Sequence, residues 1–289
     1  MQILFIIIAC ICAAVLYTFI NVFNRRTDAF IRAREDYDED VDGKQTKAEK
    51  EAFLARKEEE SKLTHMPLKD VYKERPKRFI AVIIWGIVLT GFATWFFINY
   101  PNDISGMGAL KDKLTRTLAL VEDPNKVQTI GTILLLILYA IYTLQALIDF
   151  DTFELPFEYN IIIGILGIIS IFIWPHVTIL ERVIGVLCIA GPLALLDMVI
   201  PNAFGWGDIR LLYMSGILLG WKILVAGFFI GAIIQAIIAV FFLITKKKDW
   251  KSHIPFGPML CLGIMISTMA GTAILDWYIG VLRTSMGNY

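Results

Sequence analysis

Polar and apolar positions fall into long blocks along this chain instead of alternating. Apolar runs cover approximately residues 3–23, 79–98, 129–148, 159–174, 180–200, 209–220, 223–244 and 256–280. A helix needs about 20 apolar residues to cross roughly 30 Å of hydrocarbon, and fewer where neighbouring helices shield its ends. Runs this long predict membrane-spanning helices, because lipid offers the backbone no other way to satisfy its amides. The pattern therefore predicts an all-α fold, a polytopic integral membrane helical bundle of about eight transmembrane helices. The short runs 159–174 and 209–220 predict helices buried among neighbours.

Composition agrees with that class. The chain has 289 residues, 57% of them hydrophobic, and a mean hydropathy of +0.64, too apolar for a soluble domain of this size. Net charge is zero, but the charges are clustered, so no nucleic-acid partner is expected and topology becomes the useful question. The first run lacks a basic region before it and is followed by Arg25 and Arg26, so it reads as a retained anchor. With residues 25–78 in the cytoplasm, eight spans leave 20 of the 27 Lys and Arg inside: 15 in residues 25–78, then Arg210, Lys246, Lys247, Lys248 and Lys251. The positive-inside rule supports this threading.

The domains expected are a first anchor (1–24), a charged cytoplasmic loop after it (25–78), a second span with an external loop (79–128), and a membrane core (129–289). The mixed run "KAEKEAFLARKEEE" at 47–60 predicts a solvated helix laced with charge pairs. Cys10, Cys12, Cys188 and Cys261 lie in apolar spans without a Cys-x-x-Cys pair, and His65, His176 and His253 are scattered. Neither zinc nor any other metal site is expected, nor a disulfide framework.

The threading places Asp149, at the end of the third span, and Asp208, at the start of the sixth, on the cytoplasmic side. Carboxylates at helix ends inside a membrane protein are costly unless they serve a site. Two of them converging on one water share a proton, one acting as base while the other donates to a substrate carbonyl. In "FGWGDIRLL" (204–212), Gly205 and Gly207 permit φ > 0 or close backbone approach, so Asp208 is expected on a turn immediately before its helix. Pro156 is expected to break the chain after Asp149 and begin the fourth span. By residue type alone, Asp151, Glu154, Glu158 and Asp197 are alternatives to Asp149, and Asp208 alone reads equally as a helix cap.

Three stretches, "ALIDFDTFELP" (146–156), "FGWGDIRLLYMSGILLGW" (204–221) and "IPFGPMLCLG" (254–263), resemble in order and spacing the bacterial type IV prepilin peptidases, aspartic proteases of the GxGD type. The resemblance covers residues 129–280 and extends weakly to "LYTFINVFNRR" (16–26). It implies a catalytic pair of Asp149 and Asp208, a motif shaped by Gly205, Gly207 and Pro156, and a substrate-positioning role for Pro255, Gly257, Pro258 and Glu158. The substrates it implies are prepilins or pseudopilins, with a short basic leader before an apolar helix resting in the lipid bilayer, cut at the cytoplasmic face of the bacterial inner membrane. An acidic band of Asp151, Glu154 and Glu158 is a candidate attractor for the leader's cations.

Proteolysis of this kind needs no cofactor. Larger family members also methylate the new N-terminus with S-adenosylmethionine and carry two Cys-x-x-Cys pairs in the loop after the first span; this loop has neither. S-adenosylmethionine is the cofactor if that second activity is retained, and zinc is not expected. The sequence departs from the pattern in having Phe157 where an acid is usual, with Glu158 after it, and Arg210 where lysine is common. The competing classes are an ion- or proton-coupled transporter or channel, and a non-catalytic pilus-assembly scaffold.

Overall fold

A computed structural model describes residues 2–39, 76–99, 124–173, 177–200, 204–245 and 254–286. The regular elements among them are all α-helices: α1 (Gln2–Glu39), α2 (Pro76–Asn99), α3 (Pro124–Thr152), α4 (Phe157–Ile173), α5 (Ile179–Cys188), α6 (Ala190–Val199), α7 (Trp206–Ile244) and α8 (Gly257–Met286). Five stretches are long and apolar enough to cross a membrane: Ile6–Thr27, Pro76–Asn99, Thr129–Thr152, Ile179–Val199 and Trp206–Ile244. Phe157–Ile173 and Gly257–Ala270 are shorter apolar helices. The protein is a multi-pass helical membrane protein.

Several limits differ from the hydropathy reading. α1 runs past Arg25 and Arg26 to Glu39, because the polar residues after the anchor continue a helix that hydropathy cannot follow. α3 extends through Thr152, one turn beyond the expected end at 148. The fifth run is two short helices that meet at Ile189. The charge-paired run 47–60, most of the external loop and all three histidines lie outside the described residues.

The chain divides into two compact units, Met1–Phe92 with Leu147–Glu154, and Ala93–Ala146 with Leu155–Tyr289. In the first, a Cβ on Gly86 of α2 would collide with the ring of Tyr17 of α1, so glycine is what allows the two helices to meet. Asn21 adds a donor to the Phe79 carbonyl at 3.4 Å. In the second, α7 packs against α4, α5 and α8. Gly216 of α7 faces Gly185 of α5, and Gly227 and Gly231 face Ile264 and Met259–Leu260 of α8, at distances that leave no room for a Cβ. These are the small-residue contacts expected between membrane helices.

α7 has 39 residues, about 58 Å at 1.5 Å per residue, nearly twice the hydrocarbon thickness. It is broken at Gly220, whose φ of 74° and ψ of 175° are not helical. The two runs read as separate spans, 209–220 and 223–244, are the segments on either side. A break frees carbonyls of the preceding turn, and here a buried arginine takes them. Arg182 of α5 donates from Nη1 to the carbonyls of Ile217 at 2.6 Å and Leu218 at 3.1 Å. The same guanidinium donates to Ser170 Oγ of α4 at 2.6 Å and, from Nε, to the Val177 carbonyl at 3.3 Å. Beside it Glu181 closes a capping box with Thr178 at the start of α5 and pairs with Lys222 at 3.6 Å.

Buried polar links tie the helices of the second unit further. Tyr142 of α3 and Ser215 of α7 share a hydrogen bond of 2.7 Å between their hydroxyls. Gln145 Nε2 of α3 donates to Asn160 Oδ1 of α4 at 2.7 Å, and Tyr139 bonds Thr268 and the Met265 carbonyl of α8. In a bilayer each such bond contributes on the order of 1 kcal/mol.

Candidate active site

The Gly-x-Gly-Asp turn belongs to the second unit. Gly205 is the N-cap of α7, with φ −67° and ψ 126°, and the Ile209 amide donates to its carbonyl at 3.2 Å. Asp208 is thus the third residue of the helix, half-buried, and does not sit on a turn before it as the sequence suggested. A carboxylate in the first turn meets the positive end of the helix dipole. Nor does Gly205 adopt positive φ; its role is space. A Cβ there would stand 3.2 Å from Asp208 Oδ2, so the missing side chain leaves the carboxylate room to fold back over the cap. A Cβ on Gly207 would stand 2.8 Å from Leu155 Cβ, so the second glycine lets the turn close onto the loop that leads into α4.

That loop, 153–156, ends with half-buried Pro156, which lies directly before the first residue of α4 and not within its first turn. Leu155 is buried and fills the space over Gly207. Next to it, the guanidinium of Arg210 lies over the Phe157 ring, 5.2 Å from its centroid. The two residues that depart from the resembled pattern therefore face each other. Asp197, near the end of α6, is buried and accepts a hydrogen bond from the Phe204 amide at 3.3 Å, which anchors the entry to the motif.

Asp149 belongs to the first unit. It lies in the last turn of α3, is 5% exposed, and its carbonyl accepts from the Phe153 amide at 3.0 Å. Phe153 holds φ at 58°, a left-handed conformation costing a non-glycine residue about 1 kcal/mol; it terminates the helix there. Asp151 is engaged by Arg78 at 2.6 Å, so the expected acidic band is already partly neutralised within the protein. Glu154 and Glu158 are exposed, the latter in the first turn of α4.

Gly257 and Pro258 begin α8 and Pro255 lies in the loop before it, which is fastened to the second segment of α7: Gln235 donates to the Ile254 carbonyl at 3.5 Å, and Phe228 meets Phe256 edge-on. No group of three or more His, Cys, Asp or Glu suited to a metal lies among the described residues. The sequence reading missed Arg182, Asn24 and Arg78. The last two were counted with the first span and the charged loop, and nothing in their spacing signals a partner at Asp151.

The fold is that of a multi-pass helical membrane protein, in which Asp149 and Asp208 each lie in the terminal turn of an apolar helix. Residues 134–240 match the type IV leader peptidase family, and this segment, which contains both aspartates, belongs to that family. The chain is 40% identical over 76 residues to a prepilin leader peptidase/N-methyltransferase of Legionella pneumophila, a match covering 26% of either protein. It is 26% identical over 186 residues to one of Aeromonas salmonicida (strain A449), covering 62% of this chain and 63% of that one. With one of Bacillus subtilis (strain 168) it shares 30% over 87 residues, covering 30% of this chain and 35% of the relative. The chain thus spans less than two thirds of the length of these relatives. No solved structure matches it significantly.

Proposed function

We propose that the protein is a membrane aspartic endopeptidase that removes the basic leader from type IV prepilins or pseudopilins at the cytoplasmic face of a bacterial inner membrane. The observation that carries this reading is the family match over 134–240, which takes in Asp149, Gly205, Gly207 and Asp208 together. One carboxylate, ionised, takes a proton from water as the water oxygen bonds to the scissile carbonyl carbon. The other, protonated, gives its proton to the carbonyl oxygen. In the reverse relay a proton reaches the amide nitrogen, the carbon–nitrogen bond breaks, and leader acid and new amine leave. Exposed Glu154 and Glu158 face the leader's cations, and Pro255, Gly257 and Pro258 position the substrate from the entry to α8.

Methylation of the new N-terminus, with S-adenosylmethionine as donor, is the second activity proposed, after relatives named prepilin leader peptidase/N-methyltransferase. Nothing in the described residues ties a side chain to that cofactor, and the cleavage steps run without it. The test is cleavage of a prepilin with a basic leader by purified protein in detergent, read as a mass shift. Wild type is expected to cut, and Asp149→Asn and Asp208→Asn, folded and inserted, to lose activity entirely. Cleavage by either variant at the wild-type rate would refute the assignment. A further increment of one methyl group, dependent on S-adenosylmethionine, would establish the second activity. If matched prepilins remain intact, ion or proton flux in vesicles tests the transport class.

A further inference from the structure

Arg78 stands in the first turn of α2, at the edge of the block that hydropathy assigns to a solvated loop. Its Nη1 lies 2.6 Å from Asp151 Oδ1, and its Nη2 donates to the Leu147 carbonyl at 3.3 Å. Asn24 of α1 donates from Nδ2 to the other carboxylate oxygen of Asp151 at 3.4 Å. Leu147 and Asp151 lie two residues to either side of Asp149. One guanidinium therefore holds α3 both before and after that aspartate, close to the helix end where fraying is easiest and the dipole favours a cation.

The pair is not of the solvated surface kind that contributes almost nothing. The Asp151 side chain is only 12% exposed and that of Arg78 30%, and Asn24 and Arg25 beside it are buried. A planar guanidinium suits this double engagement; an ammonium concentrates its charge at one point. Asp151 is thus occupied before any leader arrives.

We propose that Arg78, Asp151 and Asn24 are positioning residues that hold the last turn of α3, and with it the Asp149 carboxylate, and that Asp151 is not a docking group for the cationic leader. The proposal rests on the peptidase reading. Small displacements of a catalytic group lower turnover strongly and leave substrate binding intact, so the signature is a loss in kcat without a rise in KM.

The experiment compares the full chain with Arg78→Met, Asp151→Asn, the double variant and Arg78→Lys, on two prepilins whose leaders are cationic or neutralised. Amide hydrogen exchange is followed over residues 147–153 in the same preparations. Each single Met or Asn variant is expected to lose about tenfold in kcat with KM unchanged on both leaders. The double variant should be no worse than the poorer single one, and Arg78→Lys should recover part of the loss. Exchange over 147–153 should accelerate in all of the impaired variants. A KM that rises for Asp151→Asn with the cationic leader alone would make Asp151 a docking group and overturn the proposal. Additive losses or unchanged exchange would overturn it as well. Should wild type cut neither prepilin, the peptidase reading falls, and the exchange measurement alone decides whether Arg78 and Asp151 hold the turn.

Discussion

At Gly207 a single hydrogen atom lets the motif turn lie against Leu155. Replacing it with a methyl group puts a Cβ at 2.8 Å from Leu155 Cβ, closer than packed carbons approach, and overpacking of this kind costs about 1–3 kcal/mol. Gly207→Ala is therefore expected to lower the unfolding free energy by that amount, followed by denaturant titration in mixed micelles. Gly205→Ala, whose new carbon meets the Asp208 carboxylate at 3.2 Å, should cost less folding stability, since a side chain gives way more easily than a packed turn. Equal losses would show that the Leu155 contact is not what selects glycine. The two glycines were legible in the sequence, but their physical reason was not. Spacing suggested unusual φ, whereas the reason is an approach by Leu155, a residue the sequence placed in a different motif. Phe157 and Arg210 were noted separately as departures; their stacking, worth about 0.5–1 kcal/mol at an exposed site, links two motifs 53 positions apart in the numbering. Spacing within one motif cannot report a contact of that range, which is also why Arg78 went unnoticed as the partner of Asp151.

Among the elements, α7 shows how a helix can be divided without proline. Hydropathy detected the division because Trp221 and Lys222 interrupt the apolar run, but the cause lies in Gly220 and in an arginine from another helix. Arg182→Met removes the donor from the carbonyls of Ile217 and Leu218 and from Ser170 while keeping much of the side-chain volume. Leaving buried acceptors unmet should lower the unfolding free energy, followed by denaturant titration in mixed micelles, by about 2–4 kcal/mol. Gly220→Ala places a side chain in a region of φ and ψ that is close to glycine-only and should cost about 1–3 kcal/mol. Because both act on one break, the double variant should fall short of the sum; full additivity would show that Arg182 stabilises some other feature. The buried links Tyr142–Ser215 and Gln145–Asn160 were equally hidden, since a lone hydroxyl or amide in an apolar run does not change the hydropathy that identifies the span.

For the whole molecule, the helical membrane class was legible because hydrophobic length is a direct requirement of the bilayer, and helix ends were not, because packing and capping decide them. α4 illustrates a consequence of that difference. It has 17 residues, about 26 Å along its axis, a few ångströms less than roughly 30 Å of hydrocarbon. Ile161, Ile165, Ile168 and Ile169 form an exposed apolar face along it, so if α4 crosses the bilayer this face meets lipid and lipid takes up the shortfall. Membranes meet such hydrophobic mismatch by local thinning, at an elastic cost that grows with acyl-chain length. α4 begins at Phe157, against Arg210 two residues after Asp208, so such thinning would fall next to the motif turn. Cleavage in vesicles of one headgroup and progressively longer monounsaturated chains should therefore decline as the bilayer thickens, and a flat profile would mean that α4 is shielded from lipid. A decline would make membrane elasticity a determinant of turnover, set by the length of one helix that carries no catalytic group.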